Sequence, residues 1–91
     1  MNLNLKFLDV VNEIMNIAKE YGLNSSREWA IKAHEAGEIS YEDLKQYEQI
    51  NYLRNMMVHG KAESTEISIE MFEFAVKIKN IIANSKIRKN I

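Results

Sequence analysis

The fold is decided by residues 3–22, which read LNLKFLDVVNEIMNIAKEYG. Apolar side chains recur here every three or four residues, as they do on one face of an α-helix. They are Phe7, Val10, Val11, Ile14, Ile17, Ala18 and Tyr21. Polar residues between Asp9 and Glu20 lie on the opposite face, and Gly22 suits the left-handed residue that follows a helix. The stretch therefore predicts an amphipathic first helix over residues 3–21.

The remaining residues continue the helical pattern. The chain has no proline and only three widely spaced glycines, which favours helices with short connections. Ser25, Ser40 and Ser68 each stand where an N-cap is expected. The helices that they open are predicted to end near residues 36, 60 and 88, with a polar loop over residues 61–67. The sequence thus predicts an all-α, antiparallel four-helix bundle that forms a single domain over residues 1–91.

Composition excludes several classes of protein. A hydrophobic fraction of 46% is too high for general disorder. No apolar run approaches the ~20 residues needed to span a membrane, and no signal-peptide pattern starts the chain. The lack of cysteine removes disulfides, thiolate nucleophiles and cysteine-based zinc sites, and His34, His59 and the scattered glutamates have no metal-ligand spacing. We expect a cytoplasmic protein with no metal, no cofactor and no membrane contact.

Small size and one predicted helix favour a homodimer. A chain of 91 residues buries only about 60–65% of its unfolded surface and gains from further burial in an oligomer. The fourth predicted helix carries a wider apolar arc than one face of a small bundle needs. Its apolar residues are Ile69, Met71, Phe72, Phe74, Ala75, Val76, Ile78, Ile81 and Ile82. We expect the surplus to be buried against a second copy.

The charge distribution gives two interpretations of the C-terminus. The net charge of −1 provides no overall attraction for nucleic acid. The last part of the chain is nevertheless basic, and its candidate RNA-binding residues are Lys79, Lys86, Arg88 and Lys89. The same cations could instead complement the dipole at a solvated helix end.

The segment that carries chemistry is residues 52–60, YLRNMMVHG, at the end of the third predicted helix. Arg54 supplies a permanent cation with a fork of donors suited to phosphate. His59 supplies a group that exchanges a proton near neutral pH, and Asn55, four residues earlier, could orient its ring. Arginine on a helix also commonly makes a surface ion pair, and a histidine in a last turn often only satisfies carbonyl groups.

Helical geometry limits how these side chains meet. Glu48, Tyr52, Asn55 and His59 form one longitudinal stripe, so Glu48 and Tyr52 are candidate supporting residues. Glu48 lies about 16 Å from His59 along the axis, too far for contact on a straight helix. Arg54 lies about 140° around the helix from His59. The two can converge if the helix unwinds near His59, as Gly60 permits, or if two copies meet across a two-fold axis.

Such a pair could cleave RNA through its own 2′-hydroxyl. Neutral histidine would take the hydroxyl proton, and the freed oxygen would attack the adjacent phosphorus. Arginine would stabilise the charge that grows on the phosphoryl oxygens. The products would be a 2′,3′-cyclic phosphate and a 5′-hydroxyl, and DNA would be spared because it lacks the 2′-hydroxyl.

The string from Leu53 to Gly60 resembles the signature of HEPN domains, R-x4-6-H with a polar residue directly after the arginine. The resemblance extends to a small all-α bundle in which one more helix follows the motif. It implies a HEPN-like dimer, with Arg54 and His59 catalytic and Asn55 supporting. Many members are metal-independent endoribonucleases of toxin–antitoxin and phage-defence systems, and others only bind a partner protein or nucleotide. Some toxins of the family carry a tyrosine two residues after the histidine, where this chain has Lys61.

Overall fold

A computed structural model describes residues 3–61 and 66–89 of the chain, and within these ranges it contains helices and no strand. Four α-helices follow one another, with a π-helical turn over Met57–Lys61 after the third. They are α1 (Leu3–Glu20), α2 (Ser26–Glu35), α3 (Tyr41–Met56) and α4 (Ile69–Ala83). The predicted all-α four-helix bundle is therefore confirmed. The predicted loop falls partly on residues 62–65, which lie outside the described ranges.

The three predicted serine caps begin α2, α3 and α4. Each serine Oγ accepts the backbone N–H three residues later, which satisfies a donor that the helix itself leaves unpaired. The bonds run to Ser25 from Glu28 (3.1 Å), to Ser40 from Asp43 (3.0 Å) and to Ser68 from Met71 (3.2 Å). Each such cap contributes about 1 kcal/mol. These helix starts are thus set by local sequence.

The apolar face of α1 forms much of the core and packs mainly on α4. Its buried residues are Phe7, Val10, Val11, Ile14 and Ala18, while Ile17 and Tyr21 are half-buried. Two contacts fix the direction of the pair. Tyr21 Oη donates to the carbonyl of Ile82 at 2.6 Å, and Lys79 lies 3.3 Å from the carboxylate of Glu13. The C-terminal ends of α1 and α4 therefore meet, and the two helices run in the same general direction, so the antiparallel order that the sequence predicts does not hold for this pair.

The α2–α3 pair is an antiparallel hairpin. At its open end the buried Tyr47 Oη donates to Ser26 Oγ at 2.6 Å. Near the connecting loop the His34 and Tyr41 rings meet edge to face, with centroids 5.9 Å apart. Tyr47 and Trp29 are both fully buried, so the hairpin contributes two large aromatic side chains to the core.

The last helix ends at Ala83, five residues before the predicted end near Arg88, because Ser85 is drawn into the core. Ser85 Oγ accepts the indole N–H of Trp29 at 2.9 Å and donates to Glu38 Oε1 at 2.5 Å. The other oxygen of Glu38 accepts the backbone N–H of Lys86 at 3.0 Å. These bonds replace the helical ones that residues 84–88 would have made.

The segment after α4 closes on the turn that follows α1. The Lys89 N–H donates to the carbonyl of Tyr21 at 3.0 Å. Gly22 has a φ of +82°, as its predicted place after the helix requires, and a Cβ added there would lie 3.0 Å from the Lys89 Cβ. Glycine at this position therefore serves both the left-handed turn and the close approach of the C-terminal segment.

The wide apolar arc of α4 is only partly used within the described chain. Phe74, Ala75, Ile78 and Ile82 are buried, whereas Met71, Phe72, Val76 and Ile81 are half-buried. Ile69 at the start of the helix is 54% exposed. The homodimer that would cover this surface stays a prediction. None of the described helices is both long and apolar enough to span a bilayer.

We expect Ser85→Ala to lower the free energy of unfolding by about 1–3 kcal/mol, because the buried indole N–H of Trp29 loses its acceptor. Urea unfolding followed by far-UV circular dichroism measures the change. Lys86→Ala, next to it on the exposed side, should stay within about 0.5 kcal/mol of wild type. Equal stability of Ser85→Ala and wild type would show that the indole bond is not needed.

Candidate functional site

Arg54 lies in the last turn of α3, where two side-chain amides hold it. Its Nη2 donates to Oδ1 of Asn12 on α1 at 3.2 Å, and its Nη1 donates to Oδ1 of Asn55 at 3.3 Å. Its Nε is buried and has no acceptor among the described residues. Such a donor is rare in a native structure. The guanidinium is thus fixed at two points, one on its own helix and one on α1.

The charge of Arg54 has no carboxylate partner within residues 3–61 and 66–89. Other cations do have one: Arg27 and Lys45 pair with Glu48, Lys77 with Asp43, and Lys79 with Glu13. An amide oxygen accepts a hydrogen bond without carrying a net charge. Arg54 is therefore held in place by neutral groups, and no described residue compensates its positive charge, which suits the binding of an anion.

Tyr47, two turns before Arg54, is a buried phenol that stays protonated. Burial raises the pKa of Tyr47 to about 12, and both its hydrogen bond with Ser26 and the positive charge of Arg54 act in the opposite direction. Its hydroxyl proton is committed to Ser26. Tyr47 therefore supports the α2–α3 hairpin beside the site and is not a proton acceptor at neutral pH.

His59 lies where the helical backbone unwinds. The chain passes from α3 into the π-helical turn at Met57, and it departs from helical dihedrals at His59 (φ −91°, ψ 26°) and Gly60 (φ +88°). The positive φ of Gly60 favours glycine. The unwinding expected at this glycine is thus present, and the His59 side chain is exposed. Because the helix is not ideal here, the 140° separation from Arg54 no longer holds.

Asn55 contacts the arginine of the motif and not the histidine. Its Oδ1 accepts from Arg54, and within the described residues no hydrogen bond joins it to His59. The orientation of the imidazole by Asn55, expected from their spacing on an ideal helix, does not occur here. The unwound turn that carries His59 removes the one-turn relation on which that expectation rested.

The two candidate supporting residues are not brought to Arg54. Glu48 lies 3.3 Å from Arg27 Nε and 3.4 Å from Lys45 Nζ. The hydrogen bond from Lys45 is the main reason why the pKa of Glu48 lies below its usual value. Tyr52 is 64% exposed. Glu48 thus belongs to a surface ion-pair cluster between α2 and α3, and Tyr52 lies on the open face of α3.

The C-terminal basic residues differ in their availability. Lys79 is paired with Glu13, and Arg88 donates to the carbonyls of Ser85 and Ile87 while it lies 3.5 Å from the centre of the Tyr21 ring. Of the four candidates, Lys86 and Lys89 remain; both are exposed and have no acidic partner within the described ranges. Two of the four candidate RNA-binding side chains are therefore committed to contacts within the chain.

Asn12 contacts Arg54 of the motif, and the sequence does not predict this contact. In the sequence it is one of several polar residues on the outer face of α1, and nothing in its neighbours singles it out. Only the packing of α1 beside α3 brings it to Arg54, which lies 42 positions later.

Comparison with protein-family models finds no match, and neither do the comparisons with curated proteins and with solved structures. The described residues contain no group of three or more His, Asp or Glu side chains that could hold a metal ion. A pocket of about 540 Å³ lies at the end of α4, lined by Glu38, Asn80, Ile81, Asn84, Ser85 and Lys86. It contains no residue of the Arg54–His59 motif, whose exposed members Asn55, Val58 and His59 lie on the open surface.

The free energy of unfolding should fall as pH rises from about 10 to about 12. In this range the Tyr47 phenol of the unfolded chain, with its ordinary pKa, loses its proton, whereas the buried phenol of the folded chain keeps it. This one group contributes at most about 1.4 kcal/mol per pH unit in that window. The free energy of unfolding of Tyr47→Phe should therefore fall less steeply there than that of wild type. Tyr52→Phe, which removes an exposed phenol, is the control and should keep the wild-type slope. Identical slopes for all three proteins would contradict the raised pKa.

Proposed function

We propose that this chain is a metal-independent endoribonuclease of the HEPN type, with Arg54 and His59 as its catalytic residues. The observation that supports this most is the state of Arg54. Its guanidinium is anchored by two neutral amides, lacks a carboxylate partner among the described residues, and belongs to the same short motif as the exposed His59. A fixed arginine fork binds phosphate through two parallel hydrogen bonds.

The reaction would use the ribose as its own nucleophile. His59 takes the proton of a 2′-hydroxyl, and the oxygen attacks the neighbouring phosphorus. Arg54 stabilises the negative charge that develops on the non-bridging oxygens. The bond to the 5′-oxygen breaks, that oxygen takes a proton from water, and His59 returns its own proton to the solvent. The products are a 2′,3′-cyclic phosphate and a 5′-hydroxyl. Asn55 acts through Arg54, whose Nη1 it binds.

The biological setting that the resemblance to HEPN domains implies is a toxin or phage-defence component, which we expect in the cytoplasm. The protein would act as a homodimer whose two motifs line one cleft, and a partner protein such as an antitoxin would restrain it. Lys86 and Lys89 are the basic residues best placed to contact further phosphates, since Lys79 and Arg88 are held by Glu13 and by backbone carbonyls. Lys61 replaces the tyrosine that some HEPN toxins carry, so control by modification of that tyrosine is not expected.

A second candidate is a non-catalytic HEPN-like module that binds a partner protein or a nucleotide. What favours it is the weakness of the basic surface, in a chain whose net charge is −1. Exposed Ile69 and the half-buried apolar residues of α4 would then take part in the contact with a protein. This hypothesis predicts tight binding to a partner and no RNA cleavage by the pure protein.

Removal of either catalytic side chain should abolish cleavage without unfolding the chain. In a pool of tRNA and mRNA with EDTA, His59→Ala should lose about 100- to 10,000-fold in rate, the range for a general acid or base. Arg54→Ala should lose about 100- to 1,000-fold, as when a charge-stabilising donor is removed. Gel electrophoresis of labelled RNA measures both.

The matched control is His34→Gln, which replaces the other histidine, a half-buried residue of α2 whose Nδ1 lies 3.2 Å from the Ile39 carbonyl. It should cleave at close to the wild-type rate. Cleavage by His59→Ala or Arg54→Ala at the rate of His34→Gln would refute the assignment. An inactive wild type that binds a partner protein would favour the second candidate.

A further inference from the structure

The contact between α1 and the motif has a chemical feature of its own. Asn12 Oδ1 receives the Nη2 hydrogen bond of Arg54 at 3.2 Å, across 42 positions of sequence. The carboxylate next to it in sequence, Glu13, is turned to Lys79, 3.3 Å away. The neutral amide of α1 thus faces the arginine, and the neighbouring acid faces a different cation.

An amide and a carboxylate at position 12 would have opposite effects on an anion site. A carboxylate would form a charge-assisted pair with the guanidinium and compete with any phosphate. An amide fixes the guanidinium and leaves its charge available. A guanidinium has five N–H donors, and the bonds to Asn12 and Asn55 use one on each Nη. One N–H remains on each Nη, enough for a contact with two phosphate oxygens.

We propose that Asn12 is a positioning residue, which holds Arg54 at the site with its charge intact so that it can bind a phosphate of the RNA backbone. This inference rests on the proposed function and adds to it a residue outside the motif. Asn55 anchors the guanidinium from the same helix, whereas Asn12 anchors it from α1. The site is therefore complete only when α1 is packed in its native position beside α3.

The decisive variant is Asn12→Asp, which keeps the shape of the side chain and places a carboxylate beside the Arg54 guanidinium. Asn16→Asp is its matched control, because Asn16 lies one turn later on α1, is exposed and undergoes the same change of charge. RNA cleavage by Asn12→Asp should fall at least about 10-fold, since Arg54 becomes ion-paired. Asn16→Asp should cleave within about two-fold of wild type, as expected of a surface substitution.

Thermal unfolding separates positioning from a merely structural role. The midpoint of Asn12→Asp should equal or exceed that of wild type, because the new carboxylate gains an ion pair with Arg54. Lower activity would then accompany unchanged or higher stability. A melting temperature that falls together with the activity would make Asn12 a structural residue and overturn the proposal.

A measurement without RNA tests the same inference if the protein proves not to be a nuclease. Inorganic phosphate is titrated into ¹⁵N-labelled protein while the Arg54 Nε signal is followed, assigned by its absence in Arg54→Lys. In wild type and Asn16→Asp the signal should shift and saturate, and in Asn12→Asp it should need several-fold more phosphate.

The RNA cleavage assay and the phosphate titration fail in different ways. Where wild type cleaves RNA, equal cleavage by Asn12→Asp and Asn16→Asp overturns the role of Asn12 and leaves the ribonuclease assignment standing. Where wild type does not cleave, the missing cleavage rules out the ribonuclease assignment, and a phosphate response that depends on Asn12 still supports the positioning role. In that second case, an Arg54 signal that ignores phosphate, or responds equally in both variants, overturns the role of Asn12.

Discussion

The indole N–H of Trp29 is buried inside the bundle and must find an acceptor there, and much of the fold follows from how it does so. Ser85 accepts it and passes a hydrogen bond to Glu38, which joins α2, the α2–α3 loop and the segment after α4. The same segment reaches the end of α1 through Tyr21. Packed on α4 through its apolar face, α1 places Asn12 on its outer face beside Arg54. The candidate site therefore depends on the packing of the bundle as well as on the motif.

Local rules were sufficient for the helix starts and for the glycine turns. Ser25, Ser40 and Ser68 bind backbone N–H groups only three residues away, so their sequence context determines the caps. The end of α4 could not be predicted in this way. Ser85 is an ordinary residue of a helical pattern, and what removes it from the helix is Trp29, 56 positions earlier. An apolar pattern gives the period of a helix, but a buried partner decides where the helix stops.

The candidate site also combines features that follow from local sequence with features that depend on distant contacts. The choice of Arg54 and His59 rests on residue type and spacing and stays a prediction. The break in the helix at Gly60 is present as the sequence predicts, because it depends on a positive φ that favours glycine. The side-chain contacts could not be predicted from the sequence. Arg54 is held by Asn12 of α1, Asn55 accepts a hydrogen bond from Arg54, and Glu48 pairs with Arg27. Side-chain partners are chosen among all groups that packing brings near, and ideal helical spacing ranks only those on one helix.

We propose that Arg54 and His59 cleave RNA through the ribose 2′-hydroxyl, without a metal. This proposal is tested most directly on a short RNA whose cut site has been mapped, compared in EDTA with the same RNA carrying one 2′-deoxynucleotide just before the cleaved phosphate. Attack by the 2′-hydroxyl predicts 2′,3′-cyclic phosphate ends from the unmodified RNA and no cut at the substituted position. Cleavage at the deoxy position, or products with 3′-hydroxyl ends, would contradict it.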